Sequence, residues 1–179
     1  MIQKKGLFLD RDGVINYDLG YIDSIKKYFF KKNIFKDLKK FQKKNFFFVM
    51  ITNQSGIAKK KFSLSKYLII EKFILNEFNK KGFKIKIFYC PHHKNAKISK
   101  FKKNCYYRKP NPGMILKASK LYNINFKKSI LIGDKISDIK AGLRAGIKKN
   151  YLVKNIKLKK NKNFKRYESL NEIYKMNFK

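Results

Sequence analysis

The stretch FLDRDGVIN, Phe8–Asn16, decides the expected fold, because in it a short apolar run ends directly at two carboxylates and a glycine. Short apolar runs bounded by polar residues are typical of buried strands. Asp10 and Asp12 lie two positions apart, so at a strand end both side chains can face one site. Gly13 lets the backbone turn close to a ligand. The stretch predicts a strand that ends at a carboxylate pair, although capping or turn aspartates give the same pattern.

Similar apolar runs recur along the chain, with helical patterns between them. The predicted strands are Gly6–Asp10, Phe46–Thr52, Lys84–Cys90, Ser129–Asp134 and Lys149–Val153. The predicted helices are Asn33–Lys44, Leu64–Lys81, Pro112–Tyr122, Ser137–Ala145 and Ser169–Met176. Strands that alternate with helices predict an α/β fold: a doubly wound, Rossmann-like parallel sheet with helices on both faces. Residues 1–179 are expected to form one domain.

Two finer expectations concern the longest helix and the C-terminal part of the chain. The apolar face of the helix Leu64–Lys81 is expected to be supplied by Leu68, Ile69, Phe73, Leu75 and Phe78. The stretch Lys154–Arg166 is basic and polar, which predicts a surface loop.

The composition excludes some classes of protein. The sequence contains no run of about 20 apolar residues, so no membrane span is predicted. The N-terminus lacks the layout of a signal peptide. With two cysteines in 179 residues, we expect a cytoplasmic protein without a disulfide framework. The formal charge is +35, yet only four of the 46 basic residues are arginine and the lysines are spread throughout. This predicts no specific nucleic-acid partner, since such sites more often use clustered arginines.

Polar motifs also follow the other predicted strands. TNQSGIA, Thr52–Ala58, offers a hydroxyl, an amide and a glycine, which suit a phosphate. RKP, Arg108–Pro110, places two cations before a helix, and GDKISD, Gly133–Asp138, adds two further acids. Because ligands of such sheets bind at the carboxyl ends of the strands, these motifs are expected to meet there. Carboxylates gathered at one place need a cation between them, and hard oxygen ligands suit Mg²⁺.

The order of these motifs resembles the haloacid-dehalogenase-like phosphatases, in the branch of the histidinol phosphatases and heptose-bisphosphate phosphatases. The resemblance covers about residues 6–146 and rests on FLDRDGVIN, DLGY, TNQSGIA, CPHH with CYYRKPNPGM, and IGDKISDIKAG. It implies an Mg²⁺-dependent phosphatase that works through an aspartyl phosphate. Because one helix and a turn are expected before TNQ, and a helix, a strand and a loop after it, there is no room for a large cap domain.

The resemblance also implies roles for particular residues. Asp10 is the expected nucleophile, Asp12 the expected general acid and base, and Thr52 and Lys109 complete the catalytic set. The expected substrate-binding residues are Asp18, Leu19, Gly20, Tyr21, Asn53, Gln54, Ser55, Arg108 and Lys135. The expected Mg²⁺ ligands are the Asp10 and Asp134 side chains and the backbone carbonyl of Asp12. Asp138 either supports this metal site or caps the next helix.

Three functions stay open at the level of the sequence. The favoured one is release of the 7-phosphate of D-glycero-D-manno-heptose 1,7-bisphosphate, on the route to lipopolysaccharide, by a monomeric enzyme whose partner is a small sugar phosphate. The alternative is a histidinol-phosphate phosphatase. A more distant one is a basic nucleic-acid-binding protein on an inactive phosphatase scaffold. The segment DLGY, Asp18–Tyr21, which matches a substrate-contacting segment, could also be an ordinary surface turn.

The loop between Tyr89 and Pro110 contains both cysteines and both histidines of the chain. Cys90, His92 and Cys105 match three zinc-ligand positions of the family, whereas the fourth position is occupied by Tyr107, a poor ligand when neutral. Three interpretations follow: a weaker zinc site completed by water or His93, a loop packed by tyrosines after zinc loss, or leftover residues. Mg²⁺ is thus the expected cofactor and Zn²⁺ a possible second one, with the loop delivering Arg108 and Lys109.

Overall fold

The computed structural model describes residues 2–153 and 166–178 as one parallel sheet with helices on both faces. The strands are β1 Lys5–Leu9, β2 Phe46–Asn53, β3 Ile85–Cys90, β4 Ile130–Gly133, β5 Lys149–Val153 and β6 Arg166–Tyr167. The helices are α1 Ile34–Lys43, α2 Ser55–Ala58, α3 Leu64–Lys80, α4 Gly113–Tyr122, α5 Ile136–Ala145 and α6 Leu170–Phe178. The predicted doubly wound fold is confirmed, with strand order β3-β2-β1-β4-β5-β6. The expected loop Lys154–Arg166 lies outside the described residues except for Arg166, which begins β6.

Alternation along the strands divides the core into two layers. Leu7 and Leu9 of β1 point to the layer that contains α1, α3 and α6, whereas Phe8 points to the layer with α4 and α5. All three side chains are fully buried, because β1 lies in the middle of the sheet. A strand buried on both faces is apolar at consecutive positions, which explains the unbroken apolar run before Asp10.

The expected apolar face of α3 is wrong in most of its members. The buried side chains of this helix are Tyr67, Ile70, Ile74 and Phe78. Leu68, Ile69 and Leu75 are exposed to solvent. The buried set has spacings of three and four residues and therefore forms one stripe, whereas the expected set spreads around the helix.

The positions of the strand ends explain where a site can form. Asp10 follows β1, Thr52 and Asn53 end β2, and Asp134 follows β4. Because β1 pairs in parallel with both β2 and β4, these residues lie along the same edge of the sheet. Between the motif at Asp10 and the motif at Thr52, the described elements are a short 3-10 helix, α1 and β2. No cap domain lies within residues 10–54.

None of the described helices has the length and apolar character needed to cross a lipid bilayer.

Candidate active site

Three carboxylates meet at the carboxyl edge of the sheet. The side chains of Asp10, Asp134 and Asp138 each place an oxygen within 4.8 Å of the others. Burial raises the pKa of Asp10 well above its ordinary value, and the neighbouring carboxylates raise it further, against the lowering effect of Lys109. Asp134 Oδ1 is buried without a hydrogen-bond partner. A hard cation fits this donor set, because it would supply both the missing partner and the positive charge.

Two glycines leave the space that these carboxylates occupy. Gly13 has a φ of +86°, a backbone region that favours glycine, and a Cβ there would lie 2.6 Å from Asp134 Cγ. A Cβ on Gly133, the last residue of β4, would lie 2.6 Å from Asp138 Cγ. Both distances are far inside van der Waals contact. The motifs DRDG and IGD therefore need these glycines to let the carboxylates approach.

Lys109 is a buried cation in the middle of the carboxylates. Its Nζ lies 2.7 Å from Asp10 Oδ1, 2.7 Å from Asp138 Oδ1 and 2.8 Å from the carbonyl oxygen of Ile51. The contacts with Asp10 and Ile51 are hydrogen bonds, whereas the contact with Asp138 Oδ1 is an ion pair. Burial disfavours the charged form, but the two carboxylates raise the pKa of Lys109 above its ordinary value. Lys109 is therefore a fixed positive charge.

Asn53 fastens the loop that carries this lysine. Its Nδ2 donates to the carbonyl oxygen of Lys109 at 3.0 Å, and the backbone N–H of Lys109 donates to Asn53 Oδ1 at 3.1 Å. The end of β2 and the RKP segment are thus joined by two reciprocal hydrogen bonds. In this structure the amide of Asn53, an expected substrate-binding group, serves to place Lys109.

Asp138 caps the helix, the second of the two functions that the sequence left open, and its other oxygen points to the carboxylates. Its Oδ2 accepts a hydrogen bond of 2.9 Å from the backbone N–H of Lys135, at the start of α5. Its Oδ1 pairs with Lys109. It therefore caps the helix and belongs to the carboxylate cluster, where its side chain stands close to Asp10 and Asp134.

Asp12 lies beside this cluster, with its carboxylate held by three side chains. Arg11 donates to both of its oxygens, Asn16 Nδ2 donates to Oδ1 at 3.0 Å, and Gln54 Nε2 donates to Oδ2 at 3.1 Å. Gln54 Nε2 also donates to the hydroxyl of buried Thr52 at 2.7 Å. Sequence reasoning missed Arg11 and Asn16. The available signal was a charged residue and an amide within an otherwise buried apolar segment.

Two connected cavities open at these residues. A small cavity of about 40 Å³ is lined by Asp10, Asp12, Thr52, Asn53, Lys109, Lys135, Ser137 and Asp138. A groove of about 230 Å³ is lined by Asp12, Asp18, Gly20, Tyr21, Asn53, Gln54, Ser55, Gly56, Phe62 and Lys135. Because Asp12, Asn53 and Lys135 line both, the groove leads away from the small cavity at Asp12. The arrangement can hold a phosphoryl group among the charges and the rest of an ester in the groove.

Most of the expected substrate-binding residues line this groove, but two lie elsewhere. Lys135 Nζ donates to Asp18 Oδ2 at 3.0 Å, which fastens the DLGY segment to the start of α5. Leu19 of that segment is exposed and is absent from the lining of the groove. Arg108 lines another cavity of about 160 Å³ with lysines and asparagines of the Cys/His loop, and Lys109 lines both this cavity and the small one. Its Nη1 donates to the carbonyl oxygen of His92 at 3.3 Å.

The Cys/His loop brings its three candidate ligands together. Cys90 Sγ, a His92 ring nitrogen and Cys105 Sγ lie within 4.8 Å of one another, with Cys90 Sγ 3.9 Å from His92 Nδ1. Tetrahedral zinc would separate such a sulfur and nitrogen by about 3.6 Å, so the three atoms fit one ion. Burial raises the pKa of the Cys90 thiol to about 12. His93 Nδ1 accepts a hydrogen bond from the backbone of Asn95, and Tyr107 is exposed.

A carboxylate cluster with a buried lysine, set at the carboxyl ends of a doubly wound parallel sheet, defines the class of protein. This is a phosphoric monoester hydrolase of the haloacid-dehalogenase-like type. A family model for hydrolases of this type matches residues 106–160.

Relatives of similar sequence identify the family within that class. The chain is 44% identical to a D-glycero-alpha-D-manno-heptose-1,7-bisphosphate 7-phosphatase of Photorhabdus laumondii, over 84% of this chain and 82% of the relative. It is 39% identical to the enzyme of the same name from Campylobacter jejuni, over 96% and 95%. It is 38% identical to a D-glycero-beta-D-manno-heptose-1,7-bisphosphate 7-phosphatase of Vibrio cholerae, over 84% and 82%. The chain belongs to this family of heptose-bisphosphate phosphatases, as the motif resemblance predicted.

Solved structures agree with this assignment at the level of the fold. A protein of Mesorhizobium loti described as a HAD-like phosphatase superposes with a TM-score of 0.85 at 27% identity, over 97% of this chain and 84% of that one. The D,D-heptose 1.7-bisphosphate phosphatase of B. bronchiseptica, complexed with magnesium and phosphate, superposes with a TM-score of 0.80 at 24% identity, over 96% and 97%.

Proposed function

We propose that the protein hydrolyses the 7-phosphate of D-glycero-D-manno-heptose 1,7-bisphosphate, with Mg²⁺ and through a phosphorylated Asp10, in the supply of activated heptose for lipopolysaccharide. The observation that carries the proposal is the charged cavity that continues at Asp12 into a groove lined by DLGY and TNQS. The identity to heptose-bisphosphate phosphatases supports this choice of substrate.

The first half of the reaction transfers the phosphoryl group to the protein. An oxygen of Asp10 attacks phosphorus while the bond from phosphorus to the sugar oxygen breaks. Asp12, protonated at this stage, gives its proton to the leaving oxygen. Lys109 and the Thr52 hydroxyl, at the edge of the same cavity, offset and orient the charge of the phosphoryl oxygens. Mg²⁺, held by Asp10, Asp134 and the carbonyl of Asp12 with Asp138 beside them, would reduce the repulsion between carboxylate and phosphate.

The second half returns the protein to its starting state. Asp12, now without its proton, takes a proton from water as that water attacks phosphorus. The bond from phosphorus to Asp10 breaks, and inorganic phosphate leaves. One carboxylate at the junction of cavity and groove can serve both halves, because the leaving oxygen and the attacking water occupy the same side of the phosphorus in turn.

The test is phosphate release with Mg²⁺ from the alpha and beta anomers of heptose 1,7-bisphosphate, beside histidinol phosphate. We expect one phosphate per bisphosphate and little from histidinol phosphate. Asp10→Asn should abolish turnover while the fold is retained. Asp37→Asn, which changes an acid on α1 outside the site, is the matched control. Preference for histidinol phosphate would refute the substrate, and an active Asp10→Asn variant would refute the nucleophile.

A structural Zn²⁺ at Cys90, His92 and Cys105 is a second part of the proposal, with water or His93 as fourth ligand. The support is the fit of the three ligand atoms to one ion. Such an ion would fasten a loop that is bonded to the active site through Lys109, and it would take no part in the chemistry. Metal analysis should find about one zinc per chain, lost in Cys105→Ser but kept in Ser99→Ala. Zinc-free protein with an unchanged melting temperature would refute this part.

The proposal also includes a monomeric, cytoplasmic, single-domain protein without a specific nucleic-acid partner. The even spread of lysine supports the last point, because specific sites concentrate their charge. Light scattering should give the mass of one chain. DNA or RNA binding that persists at physiological salt would refute the absence of such a partner.

A further inference from the structure

Arg11 is a buried cation that neither the expected catalytic set nor the expected substrate-binding set contains. Its side chain is the largest among those that are fully buried, with 1% of its surface exposed. It lies between the nucleophile Asp10 and the acid Asp12 in sequence. Burying a guanidinium costs considerable free energy unless partners compensate, so its contacts identify what it does.

The two donor nitrogens of the guanidinium, its fork, face the carboxylate of Asp12, and each nitrogen is nearly equidistant from both oxygens. Arg11 Nη2 lies 2.9 Å from both Oδ1 and Oδ2 of Asp12, and Arg11 Nε lies 3.1 and 3.2 Å from the same two oxygens. Four distances so similar mean that the plane of the carboxylate is turned across the plane of the guanidinium, and charge-assisted contacts from two nitrogens restrain both oxygens. Asp12 is therefore held against rotation about its side-chain bonds, which a single hydrogen bond would still allow.

Two aromatic rings lie near the guanidinium. Arg11 Cζ lies 6.0 Å from the ring centroid of Tyr28 and 6.0 Å from that of Tyr67. Tyr67 is itself anchored, because its hydroxyl donates to Glu71 at 2.6 Å. Both rings are at the outer limit of a cation–π contact, and Arg11 Nη1 is buried without a hydrogen-bond partner, so Asp12 is the main partner of this cation. These contacts hold Arg11, and with it Asp12, in one position.

We infer that Arg11 is a positioning residue for Asp12, which keeps the acid and base carboxylate at the junction between the phosphoryl cavity and the groove. This inference rests on the proposed role of Asp12 but on no particular sugar. A carboxylate displaced by about 1 Å from the leaving oxygen can cost about 100-fold in rate. A purely structural Arg11 would instead affect stability and leave the relative rates on different esters unchanged.

The test compares esters that differ in their need for a proton. Heptose 1,7-bisphosphate releases an alkoxide that must be protonated, phenyl phosphate releases a weaker base, and 4-nitrophenyl phosphate releases an anion that leaves unaided. The first-turnover rate of leaving-group release should fall about 100-fold for the sugar in Arg11→Met. It should fall less for phenyl phosphate and stay nearly unchanged for 4-nitrophenyl phosphate. Arg11→Lys, which keeps a cation without the fork, should lie between Arg11→Met and wild type.

Two controls separate positioning from loss of stability. Ser129→Ala removes two hydrogen bonds, with the backbone N–H of Gly6 and the carbonyl oxygen of Asn125, at the far end of the sheet. It should lower the melting temperature without changing the ratio between esters. In an Asp12→Asn background, Arg11→Met should cause no further loss on 4-nitrophenyl phosphate or phenyl phosphate, because the carboxylate it positions is gone.

Three results would overturn the positioning role of Arg11. Equal losses on all esters, or an undiminished effect of Arg11→Met in the Asp12→Asn background, would overturn it. Failure of both Arg11 variants to fold, judged by circular dichroism in the cold, would make Arg11 a folding residue and overturn it as well. If wild-type protein releases nothing from the heptose, the proposed substrate fails, while the ratio between the two aryl esters still tests Arg11.

Discussion

The approach of Asp138 to Gly133 gives a sharp test of how closely the site is packed. A Cβ at position 133 would lie 2.6 Å from Asp138 Cγ and nearer still to its Cβ, whereas carbon atoms pack at about 3.5 Å or more. Gly133→Ala must therefore push Asp138 away by about 1 Å. Asp138 pairs with Lys109 and lies beside Asp10, so this displacement disturbs the charges around the nucleophile. A shift of that size costs about 100-fold in rate, and overpacking costs about 1–3 kcal/mol of stability.

Steady-state phosphate release over a range of Mg²⁺ concentrations, with urea denaturation in parallel, measures both effects. Gly6→Ala in β1 is the matched control, because its Cβ would meet Ile124 and Phe8 at 2.8 Å, at the opposite end of the sheet. It should lose comparable stability and keep its turnover rate. If Gly133→Ala retains most of the wild-type rate, or if Gly6→Ala loses as much, the site does not depend on this contact and the reasoning is refuted.

Three further predictions follow from the same geometry. Lys109→Met leaves the carboxylates without their buried cation, so the free energy of unfolding without metal should fall by about 3–5 kcal/mol. Saturating Mg²⁺ should recover part of this loss in thermal melts. A loss of stability that Mg²⁺ does not change would contradict the prediction. Asn53→Ala removes both hydrogen bonds to the Lys109 backbone and should lower kcat on every ester by about 100-fold, because Lys109 is misplaced. Gln42→Ala on α1 is the control and should leave kcat unchanged. Equal kcat values for the two variants would show that the loop keeps Lys109 in place without Asn53. Phe78→Ala, at a buried position of α3, should cost about 3–5 kcal/mol in urea denaturation without changing kcat below the unfolding transition; a matching fall in kcat would place this helix within the active site.

The fold was predictable because local patterns in this chain agree with one another. The buried run before Asp10 is apolar at successive positions, and the structure shows why: β1 has helices on both faces. The five predicted strands were found with end positions that agree to within one residue. The face of α3 was mispredicted because this helix is apolar around much of its surface, so that spacing alone did not select Tyr67, Ile70 and Ile74. The short strand β6 was missed, since two residues give no periodic signal.

The site was predictable in its residues but not in its connections. Motif order predicted that Asp10, Thr52, Lys109 and Asp134 would meet, because parallel strands bring their carboxyl ends to one edge. It could not predict that the Asn53 amide would be engaged by the backbone of Lys109. These connections depend on loop conformation, which has no sequence period. The placement of Arg108 outside the groove has the same origin.

The distribution of acids explains how a chain with a charge of +35 can maintain such a site. Of its 11 acidic residues, Asp10, Asp12, Asp18, Asp134 and Asp138 all line the two connected cavities or stand among their carboxylates. Nearly half of the negative charge is therefore concentrated at one edge of the sheet, surrounded by a positive surface. That surface attracts a bisphosphate from solution at long range, while the local carboxylates, offset by Lys109, determine what can react there.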